Sequence, residues 1–223
     1  MAEPFMRVEF ERRICLPAHA LFVGASMSGK TRLVTMLLSR PDLFCPMPKT
    51  ILFYYDQFQQ AYVDLKNTLE KEHGVSMQLH RGYQINLDEL PHNDHQTLLI
   101  IDDASEETAA SKEIARIATN GRHKNISLWL IWHSLFTRHP TSRIISQNIG
   151  LFFFLPSLRL DSQLRTLGAQ LGMQQRLMCA YKRIVDNDPP SDHRYLLLDL
   201  TPPTPPILRL RSHIHQPIQY CYG

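Results

Sequence analysis

The sequence predicts an α/β fold with a mostly parallel central sheet, helices on both faces and a short antiparallel extension at the C-terminal end. Short apolar runs alternate with longer helix-like stretches, a pattern that favours parallel strands joined by helices. The apolar runs do not alternate with polar residues, as is typical of strands buried on both faces. The chain has 223 residues, 43% of them hydrophobic, so it is long enough for one sizeable core.

Five strands and four helices are predicted before the C-terminal part of the chain. The strands are Ala20–Val23, Thr50–Tyr55, Thr97–Ile101, Ile126–Trp132 and Ile149–Leu155, and the helices are Lys30–Ser39, Phe58–His73, Glu106–Asn120 and Asp161–Leu171. Pro41, Pro46 and Pro48 follow the first helix and precede the second strand. Proline disrupts a helix interior, so these residues mark the end of the first helical region.

The C-terminal part predicts a late pair of strands at the edge of the sheet. These are Leu177–Ile184 and Tyr195–Leu200, and the sequence DNDPPSDH, Asp186–His193, reads as the turn between them. Thr201–Pro206 has the sequence TPPTPP. Proline cannot donate to a strand ladder, so this stretch predicts an extended exit segment rather than sheet interior.

These elements divide the chain into three predicted parts. An N-terminal arm of residues 1–15 precedes the first strand. Residues 16–200 form the main domain, and residues 201–223 form a proline-rich C-terminal segment.

Composition argues against a secreted, membrane-spanning, zinc-binding or disulfide-rich protein. The net charge is +3, which permits contact with a polyanion without requiring it, and no run of five like charges forms a basic tail. The N-terminus does not resemble a signal peptide and no apolar run is long enough to span a membrane. The four cysteines show no Cys-x-x-Cys spacing, so we expect no zinc site and no disulfide framework. A soluble intracellular protein without a membrane partner is predicted. The cysteines are Cys15, Cys45, Cys179 and Cys221.

A phosphate-binding loop is predicted between the first strand and the first helix. The stretch GASMSGKT fits Gly-x-x-x-x-Gly-Lys-Thr, with an apolar strand before it and an amphipathic helix after it. Its backbone N–H groups can surround a β-phosphate, and the positive end of the helix dipole favours an anion there. Lys30 would reach the β- and γ-phosphates, and the Thr31 hydroxyl would bind Mg²⁺. The alternative is a chance match in a strand–turn–helix. The predicted nucleotide-binding residues are Gly24, Ala25, Ser26, Met27, Ser28, Gly29, Lys30, Thr31 and Arg32.

A pair of acids follows the third predicted strand in the sequence LLIIDD, Leu98–Asp103. Asp102 would lie at the carboxyl end of the strand, where ligands bind in open α/β sheets, and could hold Mg²⁺ with Thr31. Asp103 could polarise an attacking water and act in catalysis with Lys30. The alternative is a strand that ends in two solvated acids. An acid that activates water suits hydrolysis. A small-molecule phosphotransferase usually has an arginine-rich lid that closes over the phosphates, and the sequence contains no compact stretch of this kind.

Four further residues are candidates for sensing phosphate or contacting partners. His133 ends the fourth predicted strand, where it could contact a γ-phosphate as a catalytic group or serve a structural role. Arg143 precedes the fifth strand and could reach the γ-phosphate of a neighbouring subunit, or be an ordinary surface arginine. Arg122 and His123 would lie at the opposite edge of the sheet. They could contact a neighbouring subunit or nucleic acid, or form a solvated turn.

Aromatic residues cluster at the end of the second predicted strand. Tyr54 or Tyr55 could stack on an adenine or on a nucleic-acid base. Core packing is the alternative, and it is the default for Phe53.

In this order, the motifs resemble those of the DNA-packaging ATPases of the FtsK–HerA superfamily, in particular the poxvirus-type branch that includes Polinton elements and adintovirus-like viruses. The similar stretches are LFVGASMSGKT, TILFYYDQFQQAY, LLIIDDA, GRHKNISLWLIWHSLF and RIISQNIGLFFFLPSLRLDSQL, between roughly Leu16 and Leu210. Many NTPases share the first and third of these motifs. The block His123–Ser127 and the pair Arg143 and Asn148 are more specific to this branch.

The resemblance implies a P-loop NTPase fold of the RecA/FtsK–HerA type, with the ATPase domain at residues 16–200. It also implies a hexameric ring that uses ATP and Mg²⁺ to move double-stranded DNA into a preformed capsid. A capsid or portal component would be a partner, and the protein would act in the nucleus or cytoplasm of a host cell or with the virion.

The functional residues of the family carry over at specific positions. Lys30 and Thr31 match the phosphate-loop pair, and Asp102 and Asp103 match the acidic pair. His133 stands where most relatives carry glutamine, although imidazole can also donate one hydrogen bond. Arg143 is the leading candidate for an arginine that acts on a neighbouring subunit.

Three other functions remain open on the sequence alone. One is a nucleotide or nucleoside kinase, and another is a ring ATPase of phage assembly or DNA transfer. The third is an assembly factor that binds ATP without turnover, which the complete set of predicted catalytic residues disfavours.

Overall fold

A large β-sheet with helices on both faces forms the centre of the structure. The computed structural model describes residues 6–8, 13–90, 94–103 and 105–223. The strands are β1 Met6–Val8, β2 Ile14–Cys15, β3 Ala20–Val23, β4 Phe44–Cys45, β5 Thr50–Tyr55, β6 Ser76–Arg81, β7 Thr97–Asp102, β8 Ile126–Trp132, β9 Leu151–Phe154, β10 Leu196–Asp199, β11 Leu210–Ser212 and β12 Gln219–Cys221. The helices are α1 Lys30–Leu38, α2 Gln60–His73, α3 Ser105–Ala110, α4 Lys112–Asn120, α5 Pro140–Asn148, α6 Leu160–Gln170 and α7 Gln174–Val185.

Within the described residues the main sheet has ten strands in the order β1-β12-β11-β10-β9-β3-β8-β7-β5-β6. The strands from β9 to β6 in this order are all parallel. The strands from β10 to β1 are antiparallel to their neighbours. A separate parallel pair is formed by β2 and β4. This confirms the predicted α/β class and the mostly parallel sheet, and antiparallel strands complete one side of it.

The central strands carry a hydrophobic core on each face. In β3, Leu21 and Val23 belong to one buried cluster, whereas Ala20 and Phe22 belong to the other. Helices α1 and α2 contribute to the cluster that contains Phe22, and α4 to α7 contribute to the opposite one. Phe22 stacks on Phe153 with ring centroids 4.4 Å apart. Burial on both faces therefore explains why these strands lack polar alternation.

The five predicted parallel strands are confirmed: three have the predicted bounds, and the bounds of the other two differ by one or two residues. The predicted helix Glu106–Asn120 is instead divided into α3 and α4. The division falls at Ser111, whose side chain accepts a hydrogen bond from the Ile114 N–H at 3.2 Å and so caps α4. Strand β6 was not predicted. None of the helices in the described ranges has the length and apolar character that a membrane span needs.

The prediction of a strand at Leu177–Ile184 is wrong, because these residues lie in helix α7. Leu177, Tyr181 and Ile184 are separated by four and three positions, which places them on one helix face. All three are buried, and α7 packs against α6. The apolar composition of this stretch is compatible with a strand, but its buried residues have the spacing of one helix face.

Both ends of the described chain add strands to the antiparallel side of the sheet. Residues Met6–Val8 pair with β12, and β12 pairs with β11. A buried ion pair between Arg211 and Asp199, with Nη2 and Oδ2 2.6 Å apart, joins β11 to β10. The strands β11 and β12 follow the proline-rich stretch and were not predicted. The proposed domain boundaries at residues 15 and 200 stay a prediction.

Candidate nucleotide site

The loop between β3 and α1 depends on two glycines. A Cβ atom on Gly24 would lie 2.5 Å from Ser28 Oγ and 3.0 Å from Leu155 Cβ, so a side chain there has no space. Gly29 has φ 90°, a left-handed conformation that glycine adopts without steric cost. Gly29 is also the N-cap of α1, and no side chain caps that end of the helix. The first-turn N–H groups of α1 are therefore not satisfied by a capping side chain, as an anion site requires.

The Lys30 ammonium lies inside this loop. Lys30 is 6% exposed, and its Nζ donates to the Gly24 carbonyl at 3.0 Å and to the Ala25 carbonyl at 2.8 Å. Burial lowers the pKa of Lys30, and the carboxylates of Asp103 and Asp102 act in the opposite direction. The loop thus holds a cationic group next to two acids.

Asp102, at the carboxyl end of β7, is held by two side-chain hydroxyls. Thr31 Oγ1 donates to its Oδ2 at 2.9 Å, and the Tyr62 hydroxyl donates to the same oxygen at 2.8 Å. The Tyr83 hydroxyl donates to the Asp102 main-chain carbonyl at 2.8 Å. Asp102 is 3% exposed, and burial raises the pKa of its carboxyl, whereas the hydrogen bonds from Tyr62 and Thr31 lower it. The contact between Thr31 and Asp102 joins the start of α1 to the carboxyl end of β7.

His133 lies between the loop and the second acid. Its Nδ1 is 3.2 Å from Lys30 Nζ, and its Nε2 contacts Asp103 Oδ1. One neutral tautomer satisfies both contacts, with Nδ1 accepting from the ammonium and the Nε2–H donating to the carboxylate. The side chains of Asp103 and His133 are 58% and 40% exposed, so they remain accessible from solvent. Asp103 has φ 62°, a conformation that aspartate and asparagine tolerate better than most residues.

These groups line a cavity of about 520 Å³, which we call the acidic cavity. Asp56 and Gln57, which follow β5, and Tyr62 of α2 also line it. Gly24, Ala25 and Ser28 belong to the loop but do not line this cavity. The predicted residues that line it are Ser26, Met27, Gly29, Lys30, Thr31, Arg32, Asp102, Asp103 and His133.

The predicted arginines lie elsewhere. Arg143 is exposed on α5 and does not line the acidic cavity. Arg122 lies in the short 3-10 helix Gly121–Lys124, which precedes β8 and so lies at the opposite edge of the sheet from the loop. The structure therefore does not bring Arg143 to the cavity of its own chain, and action on a second subunit stays a prediction.

The donor atoms fit a magnesium ion. A hydroxyl and a carboxylate are oxygen ligands of the kind that Mg²⁺ prefers, and Thr31 and Asp102 place them within 3.2 Å of each other. Ser28 Oγ is buried and finds no hydrogen-bond partner among the described residues. A buried hydroxyl in this position can donate to a bound anion.

No sequence motif indicates Tyr62 as a site residue, although its hydroxyl contacts the buried Asp102 carboxylate. We expect Tyr62→Phe to lower the free energy of unfolding at pH 7 by about 1–3 kcal/mol, because a hydrogen bond to a buried carboxylate is lost. The hydrogen bond lowers the pKa of Asp102, so its stabilising effect is present above that pKa and decreases as the pH falls through it. Urea unfolding at neutral and acidic pH tests this. Equal destabilisation at both pH values would contradict the proposed link to the ionised carboxylate.

Comparisons with known proteins support the fold. No protein-family model and no curated protein matches the chain. The chain is similar to the genome packaging NTPase B204 from Sulfolobus turreted icosahedral virus 2. The AMP complex of B204 matches with a TM-score of 0.52 and 15% identity, over 90% of this chain and 98% of that one. The ATP-gammaS complex matches with a TM-score of 0.52 and 14% identity, over 82% and 92%. The sulfate complex gives 0.50 and 15%, over 82% and 91%. At this identity the likeness shows a shared α/β fold with a large, mostly parallel sheet.

Proposed function

We propose that this protein is an ATPase that uses ATP hydrolysis to translocate double-stranded DNA into a viral capsid. The observation that carries the proposal is the 2.9 Å hydrogen bond from Thr31 Oγ1 to Asp102 Oδ2. It joins a glycine-flanked loop at a helix N-terminus to an acid at the end of a neighbouring strand. This combination suits a nucleoside triphosphate with its cation. The shared fold with a genome packaging NTPase supports the packaging role.

The phosphate loop would bind the triphosphate. The Lys30 ammonium now bonds to the carbonyls of Gly24 and Ala25, and we expect phosphate oxygens to compete for it. The N–H groups from Ser26 to Thr31 would contact the β-phosphate. Thr31 and Asp102 would hold Mg²⁺, which when bound neutralises charge on the phosphates.

Asp103 is the proposed general base. Its carboxylate would accept a hydrogen bond from the attacking water and orient that water towards the γ-phosphate. The contact of His133 Nε2 with Asp103 would orient the carboxylate. The contact of His133 Nδ1 with Lys30 Nζ links the imidazole to the ammonium that would bind the phosphates. His133 would thereby occupy the sensing position predicted for it.

The proposed assembly is a homo-oligomeric ring, with a hexamer expected from the family resemblance. The exposed Asp103 and His133 leave one side of the acidic cavity accessible to a second subunit. Arg143, exposed on α5, is the proposed residue that completes the site of a neighbour. Double-stranded DNA and a capsid or portal component are the proposed partners, and the proposed location is a host cell or the virion.

Phosphate release with and without duplex DNA tests the proposed function. We expect the wild-type chain to release phosphate from ATP with Mg²⁺, and linear double-stranded DNA to accelerate the release severalfold. Single-stranded DNA of equal mass is the control. Transfer of the γ-phosphate to an added nucleoside or nucleotide would instead identify a kinase, and hydrolysis that no DNA alters would contradict translocation.

A further inference from the structure

A second cavity lies on the other flank of the phosphate loop. Its volume is about 300 Å³, which falls within the range of small-molecule sites. Met27, Gly29 and Arg32 line both this cavity and the acidic cavity. The loop is therefore a wall common to the two, and we call the second one the flanking cavity.

The two cavities lie on opposite sides of β3. In the sheet, β3 stands between β8 and β9. The acidic cavity lies on the β8 side, where Asp102 ends β7 and His133 follows β8. The flanking cavity lies on the β9 side, where Leu155 and Pro156 follow β9 and residues 192–195 precede β10.

This arrangement would give a bound nucleoside triphosphate one orientation. A nucleoside triphosphate is a linear molecule with the γ-phosphate at one end and the base at the other. If Asp103 and the pair Thr31 and Asp102 act on the γ-phosphate end, the phosphates follow the loop and the sugar emerges on the side away from the acids. Ser28, whose buried Oγ has no partner among the described residues, lines the flanking cavity and not the acidic one.

The lining of the flanking cavity suits a nucleoside. Leu33, Leu155 and Pro156 supply apolar surface. Arg32 and Arg194 are exposed arginines, and a planar guanidinium can stack on a base. Nη1 of Arg194 donates to the Val185 carbonyl at 3.2 Å, which restrains the side chain.

His193 adds a second planar group to this lining. Burial lowers the pKa of His193, and the charge of Arg32 lowers it further, so the imidazole is neutral near pH 7. A neutral imidazole can both stack on a base and accept one hydrogen bond.

We infer that the flanking cavity holds the ribose and base of the bound nucleotide, and that His193 and Arg194 determine the affinity for the nucleoside part. The inference rests on the proposed function, because it requires a triphosphate on the loop. It assigns a role to the segment before β10, which contributes nothing to the acidic cavity.

The tyrosines suggested by the sequence are less well placed to contact the base. Tyr54 stacks on His80, with ring centroids 4.7 Å apart. Tyr55 packs against Tyr62 and lines the acidic cavity. Both belong to β5, which lies beyond β7 and its acid as seen from the loop. They therefore lie on the side of the proposed γ-phosphate.

Equilibrium binding of ATP and of inorganic tripolyphosphate, each with Mg²⁺, tests the inference on the full chain. We expect the double variant His193→Ala/Arg194→Ala to bind ATP about tenfold more weakly, because stacking on the base is lost. Its affinity for tripolyphosphate should be unchanged, which also shows that the variant is folded. Arg165→Ala is the matched control, since Arg165 is an exposed arginine of α6 that lines neither cavity. It should bind both ligands as the wild type does.

Three results would overturn the inference while leaving the proposed function intact. The double variant could bind ATP as tightly as the wild type, or it could lose ATP and tripolyphosphate equally. Alternatively, Tyr55→Leu could weaken ATP selectively, which would place the base in the acidic cavity. A wild-type chain that binds neither ligand would instead refute the proposed function, and the inference would fall with it.

Discussion

Lys30→Ala is expected to lower ATP turnover by about 10²–10³-fold or more, because it removes a preorganised cation from the phosphates. Lys30 is buried, and its ammonium lies between the loop carbonyls and His133. Loss of the ammonium should also weaken ATP binding, since alanine has no charged group that can replace the ammonium on the triphosphate, and only the backbone N–H groups of the loop remain. Steady-state phosphate release and equilibrium ATP binding measure the two effects.

The effect of the charge can be separated from the effect of packing. Lys30→Met keeps most of the aliphatic side chain and removes the ammonium, so it should lose turnover as Lys30→Ala does. Lys49→Ala removes an exposed lysine outside the acidic cavity and should leave turnover unchanged. Turnover at the wild-type rate in Lys30→Met would refute the assignment of the loop as a phosphate site.

Asp103→Asn is expected to lower kcat by about 10²–10⁴-fold, the range for loss of a general base, while ATP binding is retained. The substitution is conservative for the backbone, because asparagine tolerates the left-handed φ of 62° at this position. It removes the negative charge and the capacity of the carboxylate to accept a proton. Single-turnover hydrolysis together with ATP binding distinguishes the chemical step from affinity.

Asp102→Asn is the informative comparison for the Asp103 variant. Asp102 is buried and bonded to Thr31, so its replacement should weaken magnesium-dependent ATP binding. If Asp103→Asn reduces binding and leaves the chemical step unchanged, the roles of the two acids are reversed.

The conformation of the loop at residues 24–31 could be predicted because the residues that determine it are adjacent in the sequence. The spacing of Gly24, Gly29 and Lys30, with a strand before and a helix after, predicts the conformation that the structure shows, and the phosphate binding that it also predicts stays a prediction. The position of Asp102 followed from the rule that ligands bind at the carboxyl ends of parallel strands. The structure places both at one cavity.

Other features depend on packing between distant segments. Tyr62 lies 40 residues before Asp102, and no local pattern relates the two. The flanking cavity requires that residues after β9 and before β10 meet at the loop, which sequence patterns do not reveal. The apolar composition of Leu177–Ile184 predicts a strand, whereas packing against α6 selects a helix.

Titration of the wild-type chain with ATP in the presence of Mg²⁺ tests the central claim most directly. We predict saturable binding of one ATP per chain, with an affinity that falls when a chelator removes the magnesium. Absence of saturable binding, at concentrations well above those of nucleotides in cells, would contradict the assignment of Lys30, Thr31 and Asp102 to a triphosphate site.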